Sequence, residues 1–349
     1  MSVNRGSESE RVDAVSKPDG APKIYYVLSS EQFAVPELVQ FGVEAERAGF
    51  DGVWSSDHFQ PWQPNEGHSA SAWVTLSALS QKTSRMAMGT GVTCPIFRYR
   101  PAIVAQVWAS LSSLAPGRVF LGLGSGEKLN EGAAGGGWGP YEERASRLVE
   151  AVEIIRAFWT GNPVRIHGRF WSVEGRLYDP PPSPIPIYIA AGGPKAARLA
   201  GLHGDGMITG ASGLKTDSML KEAWEAGLRE AGKGNSKGVI MVEHWAFVGD
   251  PEEAREQANK WRFIPKAWER GYFDNISPAE IQSRAEQEIS LDDVLKDWTV
   301  SPEPGPHIEA IRKLSGLGAT HVVVHVATPR QSRAIDFFGK QVVPALKGA

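Results

Sequence analysis

The chain has 349 residues, of which 42% are hydrophobic and 22% charged, as is ordinary for a globular protein with a large buried core. Its formal net charge is −3 with the two signs intermixed, so a nucleic-acid partner is not expected. The single cysteine, Cys94, permits no disulfide bond within the chain and fits a reducing compartment.

The N-terminal segment differs from the rest in composition. Residues 1 to 22 are polar and charged and lack the apolar centre of a signal peptide. No stretch approaches the roughly 18 consecutive apolar residues of a membrane-spanning helix. We therefore predict a disordered leader over residues 1–22, one folded domain over residues 23–349, no membrane anchor and a cytoplasmic location.

Short apolar runs alternate with amphipathic stretches along the remaining chain, which is typical of βα units in a parallel sheet. Pro36 and Pro101 mark two helix starts, and a long amphipathic helix is predicted over Tyr141–Trp159. Eight such strands close most simply as a (β/α)8 barrel, and a doubly wound open sheet is the alternative. The predicted strands are Ile24–Leu28, Gly52–Ser55, Met86–Gly91, Val119–Leu123, Ile187–Ala190, Met207–Ile208, Val239–Phe247 and Thr320–Val326.

Two segments are longer than a plain βα connection. Val164–Pro186 is rich in proline, and Phe263–Trp298 is polar and aromatic. Segments of this kind usually build a lid or wall over the barrel mouth.

The carboxyl ends of barrel strands are where catalytic groups are expected. Asp57 and His58 follow the second strand, and a histidine beside a carboxylate suits general-base work on a hydroxyl. A histidine that only bonds to backbone is the alternative. Trp62 and Trp138 are placed to line a pocket.

Two glycine-rich turns follow later strands. GLGSGE (Gly122–Glu127) would let a flat ring approach backbone amides, and Glu127 would be a proton-bearing carboxyl if buried, or a surface residue at a helix start. AAGGP (Ala190–Pro194) leads into a helix whose N-terminus would bind an anion, although a tight turn without a ligand has the same letters.

Metal chemistry and acyl transfer are not expected. His321 and His325 lie in the strand-like run THVVVHV, where their rings would be roughly 13 Å apart, too far to share a metal. No GxSxG motif marks a nucleophilic serine.

From about Tyr25 onward the chain resembles the F420-dependent glucose-6-phosphate dehydrogenases and the related F420-dependent hydroxymycolic acid dehydrogenase, within the bacterial luciferase-like superfamily. The motifs that carry this resemblance are EQF (Glu31–Phe33), SDHFQPW (Ser56–Trp62), EGHS (Glu66–Ser69), GTGVTCP (Gly89–Pro95), RVFLGLGSGEKLNE (Arg118–Glu131) and AAGGP (Ala190–Pro194).

The resemblance implies an α/β fold of the luciferase-like (β/α)8 TIM-barrel type, a homodimer, coenzyme F420 as cofactor and no metal. It makes His58 the acid/base at the substrate hydroxyl, Trp62 the side chain beside the reacting carbon, and Glu127 the group that handles a proton at the deazaflavin ring. Which proton each of His58 and Glu127 moves stays open. A non-proline cis peptide bond is implied at Gly91–Val92. The implied cofactor-binding residues are Asp57, Gly91, Val92, Cys94, Ser125, Gly126, Asn130, Gly192, Gly193, Lys195 and Ala196.

The departures from the family concern the substrate. Where sugar-phosphate enzymes carry phosphate-binding cations, this chain has Gly213 and Asp297, and an aspartate would repel a phosphate. We therefore predict a dehydrogenase that transfers hydride from a secondary alcohol or hemiacetal carbon of an uncharged small-molecule substrate to F420. A sugar-6-phosphate substrate is the alternative if Lys215 or Lys266 restores the phosphate site. The sequence is also compatible with an FMN-dependent luciferase-like monooxygenase and with a non-catalytic coenzyme-binding protein.

Overall fold

The structure is a computed structural model that describes residues 20–216, 219–234, 238–269 and 271–348, the side chains of residues 215 and 216 excepted. The leader predicted for residues 1–22 therefore lies almost wholly outside the described residues. Within these ranges, no helix combines the length and apolar composition needed to cross a membrane.

Eight parallel strands form the central sheet in the order β3-β2-β1-β11-β9-β8-β7-β4, with β10 paired to β9. Isolated bridges from Met88 to Val119 and from Thr93 to Leu123 join the β3 side to β4 and close the barrel. The predicted (β/α)8 barrel is thereby confirmed, and each predicted strand is present with small shifts at its ends. The strands are β1 (Lys23–Leu28), β2 (Gly52–Ser55), β3 (Ala87–Thr90), β4 (Leu121–Leu123), β5 (Val164–His167), β6 (Ser172–Gly175), β7 (Ile187–Ala190), β8 (Gly206–Gly210), β9 (Val239–Phe247), β10 (Thr299–Val300) and β11 (His321–Val326).

Helices follow the strands and surround the barrel. The α-helices are α1 (Val35–Arg47), α2 (Ala72–Ser80), α3 (Pro101–Leu114), α4 (Lys128–Glu131), α5 (Tyr141–Trp159), α6 (Pro194–His203), α7 (Ala211–Thr216), α8 (Met219–Glu230), α9 (Pro251–Ala258), α10 (Pro278–Glu288), α11 (Leu291–Leu295), α12 (Pro304–Gly316), α13 (Gln331–Phe337) and α14 (Val343–Lys347). Short 3-10 helices cover Asn259–Trp261 and Ile264–Lys266, and a π-helical turn covers Phe338–Val342.

Local sequence explains several of these boundaries. Pro36 lies in the first turn of α1, where its missing N–H costs nothing, and the Glu37 carboxylate accepts a hydrogen bond from the Ala34 N–H at 3.1 Å. The long helix α5 has the predicted bounds and is followed by Gly161, whose φ of +72° suits glycine.

Apolar side chains form three clusters. One lies inside the barrel and includes Tyr25, Phe120, Met241 and Val323, which fill its interior. The largest lies between the barrel and the surrounding helices. The third packs residues of the segment 251–298 against Trp62 and Trp245.

The two predicted insertions occupy different places. The first contains the antiparallel hairpin β5–β6, whose turn is fastened to α5 because the Glu150 carboxylate accepts hydrogen bonds from the backbone N–H groups of Arg169, Phe170 and Trp171. It therefore packs along the flank of α5. The second lies against residues of the mouth through the third apolar cluster.

Candidate active site

The centre of the candidate site is His58, which follows the carboxyl end of β2. Its Nδ1 atom lies 3.2 Å from Nδ2 of Asn130, which belongs to the short helix α4 that follows β4. Its Nε2 atom lies 3.5 Å from Oε1 of Glu31, which follows β1. Three strand ends therefore contribute to one cluster at the barrel mouth.

The Asn130 side chain defines the tautomer of His58. Its Oδ1 atom accepts hydrogen bonds from the backbone N–H of Phe59 at 2.8 Å and of Gln60 at 3.4 Å, so its amide nitrogen is the donor. That nitrogen faces both Nδ1 of His58 and, at 3.2 Å, Oε2 of Glu127. Nδ1 of a neutral His58 accepts from this nitrogen, because that contact is shorter than the 3.4 Å from Nδ1 to the Gln60 carbonyl oxygen, and its hydrogen is then on Nε2, directed at Glu31.

Glu31 is the functional residue that sequence reasoning did not single out. Its side chain is buried, and its Oε2 atom accepts hydrogen bonds from the hydroxyls of Ser29 at 3.0 Å and Ser56 at 2.6 Å. Its place directly after β1, equivalent to that of Asp57 after β2, was the available signal.

Asp57 is buried beside His58 but faces a different group of residues. Its carboxylate accepts hydrogen bonds from the Thr93 hydroxyl at 2.7 Å and the Tyr99 hydroxyl at 3.2 Å, and it lies 3.3 Å from Nη2 of Arg98. Arg98 also lies 3.6 Å from Glu131, whose pKa is raised to about 7 by burial. The predicted cofactor residue Asp57 thus belongs to a buried ionic cluster.

The predicted cis peptide bond is present at Gly91–Val92. A Cβ atom on Gly91 would lie 2.4 Å from the Trp54 ring, and one on Gly124 would lie 2.6 Å from Cγ2 of Val92. Gly126 has a φ of +73°, and a Cβ there would lie 2.5 Å from Sγ of Cys94. Cys94 itself is buried, and burial raises the pKa of its thiol.

The GLGSGE loop is held from outside by Arg144. Its Nη1 atom donates to the backbone oxygens of Ser125 at 3.3 Å and Gly126 at 3.4 Å, and its guanidinium lies 4.1 Å from the centroid of the Trp138 ring. Trp138 also donates from Nε1 to Asp274 at 2.8 Å. The predicted pocket residue Trp138 thus links this loop to the second insertion.

The AAGGP turn opens α6, with Gly193 as the N-cap. A Cβ on Gly193 would meet no atom within 4 Å, and Gly192 faces the exposed ring of Trp268 at 3.9 Å. Free N–H groups of the first helical turn therefore border open space. Ala196 is half-buried in that turn, and exposed Lys195 pairs with Glu142 at 3.6 Å. This turn fits an anionic group with a charged tail.

Aromatic side chains line the other side of the mouth. We define the aromatic wall as Trp62, Phe263, Trp261 and Trp245. Trp62 stacks on Phe263 with centroids 4.6 Å apart and lies 5.7 Å from the His58 ring. Phe263 lies 6.2 Å from Trp261, which lies 4.8 Å from Trp245.

Glu66 holds the backbone of Trp62, the residue of the aromatic wall that contacts His58. Its Oε2 atom accepts the backbone N–H of Trp62 at 2.8 Å. Its side chain is buried, and burial together with the neighbouring Glu31 charge raises its pKa well above the usual range.

The expected positions of the two strand histidines agree with the structure. His321 and His325 both lie in β11, and the described residues contain no cluster of His, Cys, Asp and Glu that could hold a metal ion.

A family model for the luciferase-like monooxygenases matches residues 21–321. The chain belongs to the luciferase-like monooxygenase family.

Relatives within this luciferase-like family share nearly the full length of the chain. The F420-dependent hydroxymycolic acid dehydrogenase of Mycobacterium tuberculosis is 44% identical over 98% of this chain and 93% of its own length. The F420-dependent glucose-6-phosphate dehydrogenase of Intrasporangium calvum is 40% identical over 93% of this chain and 99% of its own. A solved luciferase-like structure, the F420-dependent secondary alcohol dehydrogenase in complex with an F420-acetone adduct, matches with a TM-score of 0.87 and 33% identity over 93% of this chain and 99% of its own.

Proposed function

We propose that the protein is an F420-dependent dehydrogenase that oxidises a secondary alcohol or hemiacetal carbon of an uncharged hydroxylated substrate. The observation that carries the proposal is the contact of one amide, that of Asn130, with both His58 and Glu127 at the barrel mouth. It supports this function because His58, which would act at the substrate hydroxyl, is thereby beside Glu127, which would act at the coenzyme ring, in a chain 44% identical to an F420-dependent dehydrogenase.

The proposed coenzyme site extends from the β4 loop to the start of α6. Ser125, Gly126 and Asn130 would hold the ring on one side, and the Gly91–Val92 bond with Cys94 would lie behind it. Gly192, Gly193, Lys195 and Ala196 would hold the anionic part. Asp57, whose carboxylate is held by Thr93 and Arg98, would support this site from beneath the β2 loop. When bound, F420 supplies the hydride acceptor.

His58 and Glu31 move the hydroxyl proton. In the resting arrangement the hydrogen on Nε2 of His58 faces Oε1 of Glu31. A substrate hydroxyl that enters between these two atoms would accept a hydrogen bond from the Nε2–H of His58 and give its own proton to the Glu31 carboxylate as the carbonyl forms. Asn130 keeps Nδ1 an acceptor throughout, and the Ser29 and Ser56 hydroxyls hold Glu31 in place.

Two other side chains complete the proposed machinery. Glu127 would handle the proton at the coenzyme ring, and its Oε2 atom accepts a hydrogen bond from Asn130. Trp62 packs beside the reacting carbon and excludes water, because its ring is fixed between His58 and Phe263.

The preference for an uncharged substrate is supported by the charges of the described residues. Lys266, which could have restored a phosphate site, lies 4.0 Å from Glu269 and 3.9 Å from Glu288. The side chain of Lys215, the other candidate, is outside the described residues. Gly213 and Asp297 supply no cation.

Two measurements test this function. Purified protein titrated with F420 and with FMN should bind F420 alone, and a panel of secondary alcohols should reduce F420 whereas sugar phosphates should not. His58→Gln should leave F420 affinity unchanged and abolish turnover. Tight FMN binding would instead favour the monooxygenase, and turnover by His58→Gln would contradict the role proposed for His58.

The cytoplasmic location and the homodimer also stay predictions. Cell fractionation tests the first, and light scattering coupled to size-exclusion chromatography tests the second.

A further inference from the structure

A second imidazole–carboxylate pair lies inside the barrel, away from His58. Nδ1 of His325, on β11, lies 2.9 Å from Oε1 of Glu243, on β9. Both side chains face inward, because each lies two residues beyond an interior residue of its own strand: Val323 on β11 and Met241 on β9.

The pair lies at the carboxyl end of the barrel. In the strand register, Glu243 is paired with Gly210, the last residue of β8, and His325 is paired with Trp245 of β9. The interior below is filled by apolar side chains. The Glu243 side chain is nevertheless 29% exposed, so this inward carboxylate is reached through the mouth.

His325 holds Glu243 from behind. Its imidazole is 6% exposed, is stacked on Trp245 with centroids 3.7 Å apart, and meets Trp261 edge-on at 4.9 Å. Its Nε2 atom is buried without a hydrogen-bond partner among the described residues. Since the ring cannot rotate without losing both aromatic contacts, Nδ1 remains directed at Glu243.

The aromatic wall connects the two pairs. Trp62 contacts His58 at one end, and Trp245 and Trp261 contact His325 at the other. A row of packed aromatic rings therefore connects His58, which is proposed to act at the reacting hydroxyl, with a second, accessible carboxylate, and Trp62 and Trp245 keep 7% and 9% of their area exposed.

We propose that Glu243, held by His325, is a second substrate-binding group that accepts a hydrogen bond from a hydroxyl group distant from the reacting carbon. The substrate is then an alcohol whose apolar middle contacts the exposed edges of Trp62 and Trp245. A phosphate at this place would face a carboxylate and be repelled. This inference rests on the proposed dehydrogenase function.

The test uses the F420-loaded protein and a homologous series of linear 2-alkanols, each matched with its ω-hydroxy and ω-amino counterpart. At one chain length we expect a terminal donor to raise kcat/KM at least about tenfold, the gain expected for one charge-assisted hydrogen bond. Calorimetric affinities of the same compounds should show the same preference.

Variants identify the group responsible. Glu243→Leu should abolish the preference, and Glu243→Gln should abolish it for the ω-amino compound but keep part of it for the ω-hydroxy compound. His325→Gln should weaken it mainly through KM. The matched controls, His321→Gln at the opposite end of β11 and exposed Glu253→Gln, should leave it unchanged.

The outcomes separate the two proposals. If plain 2-alkanols reduce F420 but no terminal donor helps in turnover or affinity, or if the preference survives in Glu243→Leu, the second subsite is refuted and the dehydrogenase stands. Absence of binding for the whole series also refutes the subsite. Failure to bind F420 refutes the proposed function itself.

Discussion

The side-chain amide of Asn130 donates to Nδ1 of His58 at 3.2 Å, while its oxygen accepts the backbone N–H of Phe59 at 2.8 Å. The oxygen and the nitrogen of this amide therefore have different roles. The oxygen fixes the β2 loop, and the nitrogen sets which ring nitrogen of His58 carries the hydrogen.

Asn130→Asp separates these two contributions. An aspartate has the same shape and still accepts the backbone N–H groups, but it has no donor for His58 and adds a negative charge beside Glu127. We expect kcat to fall about 10- to 100-fold with little change in melting temperature, because the tautomer of His58 is no longer fixed. Steady-state kinetics and ¹⁵N chemical shifts of the imidazole check this. Asn65→Asp, outside the site, is the control, and an unchanged tautomer in Asn130→Asp would contradict the prediction.

Gly193→Ala tests the anion site at the start of α6. The added methyl would meet no protein atom within 4 Å, so the melting temperature should change by no more than about 2 °C. The same methyl would occupy space needed by a phosphate against the helix N-terminus, so the dissociation constant for F420 should rise at least about tenfold. Fluorescence titration gives the constant.

Gly305→Ala is the matched control for this variant. Gly305 lies in α12, and a Cβ there also meets nothing within 4 Å, so neither stability nor F420 affinity should change. Unaltered F420 affinity in Gly193→Ala would mean that the coenzyme does not contact this turn.

Glu66→Gln tests the buried carboxyl beneath Trp62. Because the pKa of Glu66 in the folded protein is raised above its unfolded value, wild-type stability is lost as pH rises above the unfolded pKa toward the folded one. Glutamine keeps the acceptor for the Trp62 N–H and cannot ionise. The variant should therefore gain melting temperature over the wild type at about pH 8 and not at about pH 5.

The control for Glu66 is Glu309→Gln, an exposed position on α12. It should shift the melting temperature equally at both pH values. If Glu66→Gln behaves in the same way as this control, the ionisation of Glu66 does not destabilise the folded protein, and the prediction is contradicted.

Burial of His321 makes the free energy of unfolding decrease at acidic pH. Burial lowers its pKa from 6.5 to about 4, so below pH 6.5 the unfolded chain takes up a proton that the folded chain refuses. The contribution of His321 to the free energy of unfolding is complete above pH 6.5 and falls by up to about 3 kcal/mol as pH drops to about 4. His321→Gln should flatten the pH dependence of unfolding by urea in this window. Exposed His167→Gln should not, and identical slopes for both variants would contradict the prediction.

The barrel could be predicted from sequence because its strands are short apolar runs with clear turn signals. Strands β5, β6 and β10 were missed: β5 and β6 are partly exposed, and β10 has two residues. Such strands have no strong apolar pattern, and their pairing is set by tertiary contacts.

Within the site, the residues could be predicted from the sequence, but the contacts between their side chains could not. Gly122 was interpreted as making room for a ring. A Cβ atom on Gly122 would, however, lie 1.9 Å from the Thr90 carbonyl oxygen, so the contact between β3 and β4 requires a glycine at this position. Glu31, Arg98 and Glu243 acquire their neighbours only when the barrel closes. Sequence spacing carries no signal for contacts between strands that are far apart in the chain.

The third apolar cluster has an evolutionary consequence. The proton-handling residues lie after β1, β2 and β4, whereas Trp261 and Phe263 come from the segment 251–298, which supplies most of the side chains of this cluster. The two parts can diverge separately, so new substrate ranges can arise by remodelling one module while the reaction is preserved. A chimaera that carries this segment from a relative should inherit the donor's choice of alcohol.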